Sequence, residues 1–140
     1  MAVDRSALLR DFYLAIDHKD WPLATSYLAP DCKWHILAND VTEAASVVGP
    51  AGVAEWFVAA LGAVQTRQII ENVADRGDGA AVFTTATVTV NGLASTSEWI
   101  DVFTFTGELI AEHVSVQTGC CQPTDSAVSD VPTCQRLTSL

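Results

Sequence analysis

The sequence predicts an α+β fold, with helices in the first half and an antiparallel meander in the second. Three observations carry this. Apolar residues recur at helical spacing as far as Leu61, the period changes to two from Thr66 onward, and short turns separate the segments that follow. At 140 residues the chain fits one domain, since compact domains usually hold about 100–150 residues.

Asp4 or Ser6 can cap a first helix in which Leu8, Phe12 and Ile16 recur every four residues, with Leu9, Tyr13 and Ala15 widening the apolar stripe. Asp20 before Trp21 and Pro22 predicts a short second helix through Tyr27 and Leu28, ended by Pro30. Cys32 to Leu37 reads as a strand, and Asn39 to Ser46 as a polar loop able to roof or line a cavity. Gly49, Pro50 and Gly52 announce a third helix whose Val53, Trp56, Phe57, Ala60 and Leu61 share one face. Strands are predicted at Thr66 to Arg76, Ala80 to Asn91, Thr96 to Thr106 and Leu109 to Thr118. Gly77-Asp78-Gly79, Asn91-Gly92 and Gly107 turn the chain between them, and such short links make neighbours antiparallel. The domain is expected to occupy residues 1–118. Residues 119–140, rich in Ser, Thr, Asp and Pro, are expected to form a loop or flexible tail.

Hydrophobic residues make up 49% of the chain and charged residues 17%, enough apolar surface to offset the entropy of ordering it. No apolar run reaches the roughly 20 residues that span a bilayer, and the start lacks a basic segment followed by a hydrophobic one. A soluble, cytoplasmic protein is expected. The formal charge is -10, and the seven Lys and Arg residues are scattered, so nucleic acid and membrane are not expected partners. Cys32, Cys120, Cys121 and Cys134 match no zinc spacing and are expected as reduced thiols. Dinucleotide, Walker, zincin and calcium-loop motifs are absent from the sequence, so neither cofactor nor metal is expected.

On the strand from Ser97 to Phe105, alternation places Trp99, Asp101, Phe103 and Phe105 on one face. A carboxyl group in an aromatic row must be protonated, paired or open to a polar pocket, and each outcome shifts its pKa. Asp101 is therefore the leading catalytic candidate. The next strand aligns His113, Ser115 and Gln117, which would give the pocket a polar wall beside Asp101. His113 can take or deliver a proton near neutral pH, as can His35 in the first strand. Ser115 and Gln117 can only orient and hydrogen-bond. Tyr13 can offer a phenol from the first helix, while His18 lies in a charged helix end and is read as solvated. Trp34, Trp56, Trp99, Phe103 and Phe105 would supply apolar walls. No Gly-x-Ser-x-Gly elbow supports a serine nucleophile.

Several stretches together resemble the nuclear-transport-factor-2-like superfamily, and within it the SnoaL-like polyketide cyclases and ketosteroid isomerases. They are Phe12-Tyr13-x-Ala-Ile with Asp20-Trp21, Ala29-Pro30-Asp31-Cys32-Lys33-Trp34-His35-Ile36, Gly49-Pro50-Ala51-Gly52-Val53, and the run from Ile100 to His113. The resemblance implies a cone-shaped α+β barrel, its curved antiparallel sheet wrapped around three helices from the N-terminal half. Asp101 matches the acid that in ketosteroid isomerases stays protonated and donates to the substrate oxygen. Ile36 stands at the isomerase base position, and Phe12, beside Tyr13, at its tyrosine position. Where SnoaL-like cyclases read Glu-His-Trp-Asp, this chain reads Glu112-His113-Val114-Ser115, and Trp99 stands where limonene-type epoxide hydrolases carry arginine.

The reading that joins these points is a cofactor-independent isomerase or cyclase of secondary metabolism, moving a proton on a carbonyl-bearing polyketide or terpenoid-like substrate. Asp101 would share a cavity with His35 or His113. The alternatives are a non-catalytic binder or dimeric scaffold, and an epoxide hydrolase or dehydratase. A homodimer is expected from the superfamily and from apolar residues on both sheet faces.

Overall fold

In the computed structural model, residues 4–37, 44–121 and 135–136 are described. Helix α1 spans Arg5–Asp17, and the Asp4 carboxylate accepts from the Ala7 amide at 3.1 Å, which satisfies an otherwise unpaired donor of the first turn. Its stripe of Leu9, Phe12, Tyr13, Ala15 and Ile16 is buried. Helix α2 spans Trp21–Ser26 and is capped by Asp20, which accepts from Leu23 N at 3.2 Å. It ends earlier than predicted. Leu28 and Pro30 belong instead to strand β1, Leu28–Ile36, so the proline sits in a strand and does not stop the helix. Strand β2, Ala45–Val48, takes up the end of the expected polar loop, and residues 38–43 lie outside the described residues. Helix α3, Gly49–Leu61, buries Val53 and Phe57.

The meander follows as β3 (Gln65–Arg76), β4 (Gly79–Val90), β5 (Leu93–Thr106) and β6 (Leu109–Cys121), joined as antiparallel neighbours. Asn91 and Gly92 both adopt positive φ, 52° and 79°, as the tightest right-twisted hairpin requires. Register breaks at Glu71 in β3, and at Thr118 and Ala111 in β6 opposite Glu98/Trp99 and Thr104/Phe105 of β5, bend the long strands. The result is a curved sheet in the order β2-β1-β6-β5-β4-β3. It remains unclosed, so the expected barrel is an open cone of sheet whose concave side holds the helices.

Two features of this sheet depart from the sequence reading. Strand β1 pairs with β6 in parallel, Trp34 opposite His113 and Ile36 opposite Ser115, so the sheet is not wholly antiparallel. The expected tail also begins as strand: β6 runs to Cys121, and β7, Gln135–Arg136, pairs with it at Gly119 and Cys120. Residues 122–134 and 137–140, with Cys134, lie outside the described residues.

The core fills the concavity. Phe12 is fully buried and meets Tyr13, Tyr27, Trp34 and Phe103 edge-on, with ring centroids 5.8 to 6.2 Å apart. Each such ring contributes about 1.5–3 kcal/mol by leaving water. Packing stops short of filling the space between α1, α3 and the sheet, and the gap is the site.

Candidate active site

Alternation along β5 and β6 sets the polar wall of that gap. Asp101, Phe103 and Phe105 are buried while Val102 and Thr104 are exposed, and on β6 His113, Ser115 and Gln117 are buried in the same way. Because β5 and β6 pair with Asp101 opposite Ser115 and Phe103 opposite His113, all three polar groups meet. The Ser115 hydroxyl donates to Asp101 Oδ1 at 2.6 Å, and His113 Nε2 lies 3.4 Å from the same oxygen. Tyr13, one helix away, donates its phenol to Oδ2. Asp101 is 5% exposed.

The electrostatics follow from this constellation. Burial alone pushes the Asp101 carboxyl up, but the His113 hydrogen bond and charge, followed by the Ser115 and Tyr13 hydroxyls, outweigh it and hold the group below the ordinary carboxylate range. Asp101 is thus ionised at neutral pH. The protonated, donating acid implied by the family resemblance is corrected by the histidine packed beside it. Tyr13 is driven well above the ordinary tyrosine value by burial and then by the Asp101 charge and hydrogen bond, so it keeps its proton. His113 is fixed by its neighbours: Trp34 stacks on it at 3.6 Å and Phe103 lies 4.9 Å away. Its Nδ1 is buried without a partner.

The cavity beside this wall holds about 260 Å³. Tyr13 and Ile16 of α1, Trp56, Phe57, Ala60 and Leu61 of α3, and Trp34 and Ile36 of β1 form its apolar side. Trp99, Asp101, His113 and Ser115 face them from β5 and β6, while Thr66, Gln68, Thr84, Ala86, Val88 and Ser97 complete it from β3, β4 and β5. Asp101 and His113 therefore share one cavity, as the sequence reading required of Asp101 and one histidine.

Other named residues fall elsewhere. His35 points to the opposite face of β1, where its Nδ1 lies 2.8 Å from Ser46 Oγ and its Nε2 4.0 Å from Glu112. Phe103 packs behind the wall against Phe12 and Tyr13, and Phe105 against the Arg5 guanidinium. Gln117 is buried but donates to Gly119 O at 3.3 Å and does not line the cavity.

The sequence reading missed the wall built by β3 and β4. The Gln68 backbone is held there by Asp17, whose carboxylate accepts from the Gln68 main-chain N–H at 2.8 Å and from Thr66 Oγ1 at 3.3 Å. Thr84, 3% exposed, could have been found from the inward alternation of Ala80, Val82, Thr84 and Ala86. Among the described residues no group of three His, Cys, Asp or Glu side chains could hold a metal ion, and no helix is long and apolar enough to cross a membrane.

A family model described as a SnoaL-like domain matches residues 9–113. No curated protein matches the sequence. Among solved structures, the chain is similar to an NTF2-like protein of unknown function from Burkholderia pseudomallei K96243, with 21% identity, a TM-score of 0.69, and coverage of 83% of this chain and 92% of that one. It is similar to an LEH-like epoxide hydrolase of M. tuberculosis at 16% identity and a TM-score of 0.65, covering 78% of each chain. A third is TerC co-crystallised with polyporic acid, at 18% identity and a TM-score of 0.69, covering 78% and 87%. At these identities the likeness is one of fold.

Proposed function

The chain belongs to the SnoaL-like domain family of the NTF2-like superfamily, and on that premise we propose that it is a cofactor-independent isomerase or cyclase moving a proton within a small carbonyl-bearing substrate. The observation that carries this reading is Asp101, an ionised carboxylate set in the wall of an otherwise largely apolar cavity. Such a group takes a proton from carbon next to the carbonyl, and the C–H electron pair becomes the double bond of an enolate. Protonated Asp101 is then a strong acid, which returns the proton at a second carbon and completes an isomerisation; in a cyclisation the enolate carbon attacks a second carbonyl of the same substrate, whose C–O π pair moves to oxygen and takes the proton from Asp101.

The hydrogen bonds couple to this transfer. While Asp101 is charged, Tyr13 and Ser115 donate to it. Once it is protonated it needs fewer donors, which frees the Tyr13 phenol for the negative charge growing on the substrate oxygen. His113, held at Oδ1, is a positioning residue in this scheme. Trp34, Trp56 and Trp99 form the binding surface for the substrate's apolar part. The fuller form of the reading is a dimeric, cytoplasmic enzyme of secondary metabolism acting on polyketide or terpenoid-like compounds. Epoxide opening is less well served, because Trp99 precedes Asp101 in the row and no Arg or Lys lines the cavity.

A cyclic β,γ-unsaturated ketone tests the reading, since its conversion to the conjugated enone is read by absorbance and by deuterium uptake in D2O. The expected result is turnover that Asp101→Asn lowers by about 10²-fold or more. Equal turnover in the variant removes Asp101 from the chemistry. A binder without catalysis is the second reading, favoured by the fact that every donor around Asp101 is already engaged with it. It predicts saturable ligand binding with no deuterium uptake.

A further inference from the structure

The cavity's charge and its rings point to a ligand class that proton transfer alone does not specify. Five aromatic side chains line it: Tyr13, Trp34, Trp56, Phe57 and Trp99. No Lys or Arg is among the lining residues, the only acid is Asp101, and His113 lies 3.4 Å from it. A second carboxylate, Asp17, stands directly behind the β3 wall on Thr66 and Gln68. Several donors of the wall are already engaged: Tyr13 and Ser115 donate to Asp101, and the Trp99 indole donates to Ser97 Oγ at 2.7 Å.

Such a pocket offers a carboxylate or phosphate no Lys or Arg partner, and a neutral ligand finds its polar contacts on Thr66, Gln68, Thr84 and Ser97. Positive charge is different, because aromatic rings attract a desolvated cation through their quadrupole and a carboxylate attracts it directly. We propose that the site selects an organic cation, a hydrophobic molecule bearing a protonated or quaternary amine close to its reacting carbonyl. The inference rests on the preceding reading only in taking this cavity as the ligand site. It also suits that chemistry, since an ammonium group beside the reacting carbon offsets the negative charge of an enolate formed next to it.

The test uses two probes of nearly equal shape: choline, and the neutral alcohol in which a tert-butyl group replaces trimethylammonium. Binding to the full chain is followed by tryptophan fluorescence, which Trp34, Trp56 and Trp99 make sensitive to the cavity. Choline is expected to bind about tenfold or more tightly than the alcohol. In Asp101→Asn, with its fold verified by circular dichroism, the preference should shrink to about twofold while alcohol binding is kept. Trp56→Leu, which removes a ring and no charge, should also reduce the preference, and it decides the matter if the Asn variant does not fold. Equal affinities, no saturable choline response, or a preference untouched in the variants that fold overturns the proposal; the last outcome would trace it to the chain's overall charge of -10. Enone formation plays no part in this measurement, so either proposal can fail while the other stands.

Discussion

Asp101 receives bonds from Tyr13, Ser115 and His113 while being almost wholly shielded from water. Removing its charge leaves donors of this network without an anion, and Asp101→Asn should cost about 3 kcal/mol of stability at pH 7 in denaturant titration. The pH dependence has a definite sign. A carboxyl held below its ordinary value stabilises the fold above the unfolded pKa, about 3.9, and that stability is lost as pH falls through the lower folded value. Melting temperatures measured from about pH 5 downward should therefore fall more steeply in the native chain than in Asp101→Asn. Tyr13→Phe, which removes one donor, should lie between the two and cost about 1.5–3 kcal/mol. Much of this was readable in advance. Period-two alternation alone puts Asp101, His113 and Ser115 inward, whereas the sign of the Asp101 shift depends on a cross-strand histidine contact that spacing along one strand does not reveal. His35, named as a candidate base, could have been set aside in the same way, because Cys32, Trp34 and Ile36 claim the inward positions of β1 and leave His35 the outward one.

Helix caps and helix stripes belong to the next scale up. Asp20 supplies the side-chain cap of the six-residue α2, which stacks its Trp21 on Phe57 of α3 at 5.5 Å. Asp20→Ala should cost about 1 kcal/mol. Phe12 touches four other rings at the centre of the concavity, so Phe12→Ala should cost about 3–5 kcal/mol, a difference that denaturant titration resolves easily from the cap variant. The elements themselves were legible because helical spacing and period-two alternation persist over 12 to 14 residues in α1, α3 and β3 to β6. Strand β2 was not. Four residues after a polar run carry too little pattern, and their strand character comes from pairing with Lys33 to Ile36. Pro30 misled for a related reason, since a residue that stops helices is equally at home where a strand begins.

At the scale of the whole molecule, the convex face of the sheet presents Ile69, Phe83 and Val102, 45%, 38% and 45% exposed. Cross-strand pairing sets Phe83 opposite Ile100, and Val102 opposite Val114, as one apolar surface. We expect a homodimer through this surface. Sedimentation should show it in the native chain and a monomer for Val102→Glu, because a buried unpaired carboxylate opposes association. The class of fold was legible from the order of the periods, but the neighbour of β1 was not, since nothing local to Leu28–Ile36 names a partner more than seventy residues away.

That partnership governs when the molecule comes into being. Tyr27 accepts from the Ile110 amide at 2.8 Å, and Trp34 reaches the cavity beside His113 only after β6 has aligned with β1. On the ribosome the early helices and the first strand cannot complete their packing until β6, more than seventy residues further along, has been made. Loops this long are slow to close, so the chamber that receives a ligand takes shape only after the whole meander is in hand.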